Sequence, residues 1–203
     1  MPPPTKPPAQ FMQELRDLLL AEGIFNLTMA DIAERLKCSR RRLYEIAPTK
    51  EELFLRIADE TLRSLREAGV REAAKYSTPS EKILAYFECG VVVASQMTIT
   101  FLRDLDRLEA GRRMFDEHQH ARVRAAEKYI VDGIADGSFA PCPPRFVAEV
   151  LFLVVKELRD PEFQSAVGLS FEQGLRETYK LVLNGLKGPG PSAEKKKSKA
   201  ARL

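Results

Sequence analysis

Residues 28–54 read Thr-Met-Ala-Asp-Ile-Ala-Glu-Arg-Leu-Lys-Cys-Ser-Arg-Arg-Arg-Leu-Tyr-Glu-Ile-Ala-Pro-Thr-Lys-Glu-Glu-Leu-Phe, and their punctuation predicts two short helices, a tight turn between them and a third helix directly behind. Thr28 with Asp31 three residues later forms a capping box, in which the hydroxyl accepts from a backbone N–H and the carboxylate answers back. Ile32, Ala33 and Leu36 give that helix its buried face. Ser39 caps the next one, with Leu43 and Ile46 turned inward, and Pro48 ends it because the residue before proline avoids helical angles. Thr49 with Glu52 is a second box. It opens a longer helix whose stripe is Leu53, Phe54, Ile57, Ala58, Thr61, Leu62 and Leu65.

The same stretch concentrates positive charge. Lys37, Arg40, Arg41 and Arg42 put four cations within six positions. Arg40 and Arg41 are expected on the outward arc, opposite Leu43. A helix entering the major groove needs a short preceding turn, polar residues at its start and basic groups for phosphates. The planar fork of arginine can bond guanine O6 and N7 together. Tyr44, one turn on, can reach a phosphate or a thymine methyl. A solvated basic face has the same composition, but its position between two capped helices points to DNA.

Gly23, Thr28, Asp31-Ile32-Ala33, Ser39, Leu43-Tyr44 and Lys50-Glu51-Glu52-Leu53-Phe54, in that order and spacing, resemble the DNA-binding domain of the tetracycline-repressor (TetR) family of transcriptional regulators. The resemblance covers roughly residues 10–57. It implies that the third helix reads DNA through Ser39, Arg40, Arg41, Arg42 and Tyr44. It also implies that Thr28 and Lys50, at the starts of the second and fourth helices, hold phosphates, which suits the free N–H groups of a helix N-terminus. Three positions depart from the family pattern. Lys37 stands where glycine is usual in the turn, Arg41 where a small residue is common, and Ile46-Ala47 where an aromatic pair usually ends the helix. Lys37 must therefore adopt a turn conformation easier for glycine.

Outward from this head, the 203 residues carry 44% hydrophobic and 30% charged side chains and a net charge of +3. That balance is ordinary for a globular chain and too mild to argue for nucleic acid by itself. The expected fold is all-α, with about nine helices. A proline-rich arm over 1–9 precedes a helix–turn–helix domain over 10–56. A ligand-binding and dimerisation domain over 57–187 follows, then a disordered basic tail over 188–203. The first helix is expected from about Ala9 to Glu22, closed by Gly23 at positive φ. Thr78-Pro79-Ser80-Glu81 starts a helix whose Ile83–Met97 portion is apolar nearly all round, which predicts full burial. A short helix near Phe101–Leu108 and a long one from Gly111 to Ala135 follow. The final two run from Pro144 to Leu158 and from Ser170 to Leu186, with Asp160-Pro161 read as a break between them.

The resemblance implies a ligand pocket and a dimer. A pocket is expected among Phe87, Val91, Met97, Phe101, Met114, Phe115 and His118, for a small apolar or amphipathic effector. A dimer interface is expected along Val147, Val150, Leu151, Val154 and Val155 of one helix and Phe171, Leu175, Tyr179 and Val182 of the other, meeting their symmetry mates as a four-helix bundle. His118 and His120 point about 200° apart on a helix and share no metal. Cys38, Cys89 and Cys142 give no zinc spacing and fit reduced thiols in the cytoplasm. No apolar run is long enough to span a bilayer. No glycine-rich phosphate loop or catalytic arrangement is present, so neither an enzyme nor a cofactor is expected. The leading expectation is a dimeric repressor that leaves a palindromic operator on binding an effector. The alternative is a sequence-tolerant, architectural DNA-binding protein with no small ligand.

Overall fold

A computed structural model describes residues 7–187 of the chain. Among them are ten helices and no strand: α1 (Pro8–Glu22), α2 (Met29–Arg35), α3 (Arg40–Tyr44), α4 (Lys50–Ala73), α5 (Pro79–Ala94), α6 (Ile99–Arg107), α7 (Glu109–Ala135), α8 (Pro144–Glu157), α9 (Pro161–Val167) and α10 (Phe171–Leu186). The caps fall where the sequence places them. Thr28–Asp31, Thr78–Glu81 and Ser170–Gln173 form complete capping boxes, and Thr49 accepts from the Glu52 N–H. Gly23 closes α1 at φ 70°. The arm begins outside the described residues and is cut short by α1 at Pro8; the tail lies wholly outside them.

Two expectations are corrected. The tenth helix is α9, hidden in what reads as a break: Asp160 caps it through the Glu162 N–H, and Pro161 sits at its first position, where no N–H is missed. The helix α5 is not buried all round, since Leu84 and Val92 are 48% and 59% exposed and Met97 lies beyond its end. The expected division at 56/57 lies within α4, the helix that the sequence opens at Thr49.

The head is α1–α3 closed by the first turns of α4. Leu15, Leu19, Ile24, Ile32, Leu43, Leu53, Phe54 and Ile57 are completely buried and form one cluster with the core of the body. Each such side chain stabilises by about 1.5–3 kcal/mol. In the body α4 packs on α5, α5 on α7, and α7 on α8. The junction is fixed by polar bonds as well. Buried Asp104 of α6 accepts from Ile24 N (2.8 Å) and Phe25 N (3.0 Å), and the Thr98 hydroxyl donates to the carbonyls of Leu20 and Ala21 at the end of α1. The Phe54 and Phe101 rings meet at 5.2 Å beside this seam. Among the described residues no single helix is long and apolar enough to cross a membrane.

Candidate DNA-binding surface and buried polar cluster

In the head, Ser39 caps α3 through the Arg42 N–H. Leu43 is buried, which turns Arg40, Arg41 and Tyr44 outward. Arg41 is 89% exposed at its side chain and leans on Glu45, one turn on, at 3.2 Å. Two expected DNA residues are placed differently. The Arg42 guanidinium stacks on the Phe11 ring of α1, 3.9 Å from its centroid, and so fastens α3 to the head. The Lys50 ammonium donates to the carbonyls of Ile24, Phe25 and Leu27, so it ties down the α1–α2 loop; what α4 keeps for a phosphate is its backbone N-terminus. The Thr28 hydroxyl accepts the Asp31 N–H at 3.2 Å and donates to the Asp31 carboxylate at 2.7 Å; that bond and the one from the Thr28 N–H (2.8 Å) hold the carboxyl below its ordinary range. Lys37 occupies the turn at φ 51°.

In the body, the expected pocket is filled by side chains. Two voids of about 20 and 10 Å³ remain. Neither has room for more than about one water molecule. Met97, Phe115 and His118 line the larger and Phe87 the smaller; Val91, Phe101 and Met114 line neither. Phe101 instead packs at the seam with the head. His118 is 1% exposed, with Nδ1 3.0 Å from a guanidinium nitrogen of Arg66. Burial, together with the charges of Arg122 and Arg66, pushes its pKa down to about 2, so it is neutral. His120 points elsewhere and stacks on Phe152 at 3.9 Å. The residue that sequence reading passed over is Arg122, 4% exposed between both voids. Its signal was present, since it lies one turn after His118 on the apolar stripe of α7.

The expected dimer residues divide. Leu151, Val155, Phe171, Leu175 and Tyr179 are at most 8% exposed and belong to the subunit's own core, because α8 and α10 each turn one face onto α7 or α5. Val147, Val150, Val154 and Val182 are half-buried. The open apolar positions are Phe146 (66%), Leu153 (61%) and Leu181 (74%).

Residues 12–57 match the family model described as bacterial regulatory proteins, tetR family. The fold is shared over nearly the whole chain with solved regulators. A transcriptional regulator from Saccharomonospora viridis, in complex with choline, is 14% identical, with a TM-score of 0.69 over 88% of this chain and 96% of that one. The TetR-family regulator PfmR from Thermus thermophilus is 19% identical (TM-score 0.63; 87% and 98%). A TetR/AcrR-family regulator from Thermobifida fusca is 20% identical (TM-score 0.62; 87% and 96%). No curated protein matches by sequence. The head thus matches the tetR family model, and nearly the whole chain shares the fold of these solved regulators.

Proposed function

We propose that the chain is a homodimeric repressor that grips a palindromic operator and releases it on binding a small effector in the body, acting by binding and not by catalysis. The observation that supports this best is the presentation of Arg40, Arg41 and Tyr44 together on the open side of α3, while Arg42, Leu43 and Lys50 fasten the same segment to the head. That division gives a rigid reader with free base-contacting side chains. The head over 10–56 does the reading, and the body over 57–187 holds the effector and the second subunit. The apolar strip of Phe146, Leu153 and Leu181, flanked by Val150 and Val182, supplies the dimer face. A dimer sets two heads about 34–36 Å apart, one turn of DNA. The helix α4 starts in the head and lines the larger void through Leu62 and Leu65, so an effector that prefers a shifted α4 lowers operator affinity by population shift.

Selection of bound sequences from random DNA at about 150 mM salt tests this. An enriched palindrome with half-sites one turn apart is expected. Binding without an enriched motif would instead favour the sequence-tolerant reading. On the selected site, Arg40→Ala is expected to cost about 1–3 kcal/mol and relax one position; equal loss on random DNA would make Arg40 a phosphate contact.

A further inference from the structure

Where α4, α5, α7 and α10 meet, a buried guanidinium faces two voids with no anion beside it, and we propose that Arg122 anchors the carboxylate of an effector with an apolar body. The inference rests on the reading of the body as an effector domain, and specifies what that domain takes.

Arg122 donates through Nη2 to the Tyr86 carbonyl at 3.2 Å and lies over the Tyr86 ring, 4.5 Å from its centroid, while Nη1 has no hydrogen-bond partner. The second cation, half-buried Arg66 on α4, bonds His118 Nδ1, and the ring also faces the Leu62 backbone. Among the described residues no carboxylate lies within ion-pair distance of either arginine. The chain handles a structural buried arginine differently. Arg159, 7% exposed, meets Asp116 at 2.7 Å and Asp106 at 3.7 Å. A buried charge without a counter-ion is costly, and at Arg122 only the Tyr86 carbonyl and ring offset that cost, which favours an anionic ligand.

The surroundings say which ligand. Gly90 of α5 lets the guanidinium lie against that helix: a Cβ there would meet Nη2 at 2.5 Å, with the Tyr179 hydroxyl 3.6 Å away. A planar carboxylate fits a guanidinium edge in two parallel bonds. The voids hold about one water each, so the carboxylate takes the small space facing the guanidinium and its apolar body enters by displacing side chains. The other walls are Met97, Phe115, Phe171 and Leu175. Tyr179 borders both voids and stacks on Phe87 at 4.1 Å, so displacing that ring joins them. An anion at Arg122 also draws on Arg66, and thereby on α4.

The test uses the full chain, with decanoate and 3-phenylpropanoate each compared against its amide, followed by melting temperature and by calorimetry. A carboxylate is expected to raise the melting temperature where its amide does not. Arg122→Met is expected to melt higher than wild type without ligand and to bind that carboxylate about 10- to 100-fold more weakly. Gly90→Ala keeps every charge, pushes the guanidinium away from α5 and is expected to weaken binding too; Arg122→Lys replaces Arg122→Met if the latter does not fold. Amides as effective as acids, no response to either acid, or unchanged affinity in the Arg122 variant would overturn the proposal. Operator retention is read on the same samples. Carboxylate binding that leaves the operator bound sinks the release mechanism and keeps the site, whereas release by the amides keeps the mechanism and sinks the site.

Discussion

Lys37 holds φ at 51° in the α2–α3 turn, the only non-glycine residue at positive φ among those described. The left-handed region costs an ordinary residue about 1 kcal/mol that glycine does not lose. Lys37→Gly is therefore expected to raise stability by about 0.5–1 kcal/mol, read as a higher urea midpoint at unchanged slope, while one cation beside the reading helix is lost. His118 makes the opposite kind of prediction. Its folded pKa of about 2 lies far below the ordinary 6.5, so only the unfolded chain takes up the proton as pH falls through 6.5. Its contribution to stability is intact above that value and declines steadily below it, by about 2 kcal/mol between pH 7.5 and 5. Denaturation at the two pH values should show that loss in wild type and a much smaller one in His118→Gln; parallel losses would sink the assignment. Residues like these mark the reach of sequence reading. The strain at Lys37 was legible because a turn of that length wants glycine. The inward course of Arg42 was not, because stacking on Phe11 depends on how α1 crosses α3.

At the scale of helices, starts were read better than faces. Capping residues act on their own next turn, so Thr28, Thr49, Thr78 and Ser170 could be read without knowing the fold. The caps of α9 were equally local and were missed only because Asp160-Pro161 also spells a break. Faces depend on neighbours. Every position from Val150 to Val155 is apolar, so periodicity gave no direction, and only packing shows Leu151 and Val155 turned inward and Leu153 outward. The exposed strip yields a direct prediction. The double variant Leu153→Asp, Leu181→Asp is expected to keep its helicity, because both side chains stand clear of the core, and to weaken self-association by at least about 100-fold in sedimentation equilibrium. A dimer of undiminished strength would place the interface elsewhere.

Across the whole molecule, head and body share one core and one helix. Asp104 is the polar rivet between them, and Asp104→Ala would leave the buried N–H groups of Ile24 and Phe25 without an acceptor, at about 2–3 kcal/mol. The loss is expected to appear in a single unfolding transition. A separate early melting of the head, seen as fast amide exchange confined to α1–α3, would show the rivet to be local. Because α4 runs unbroken through the seam, head and body are not modular. A hybrid joining this head to another effector domain would have to be spliced inside a helix, where one residue too many turns the reader by about 100° and advances it by about 1.5 Å. The register of that splice, more than the compatibility of the two halves, would decide whether two such hybrids could still face the same side of the double helix.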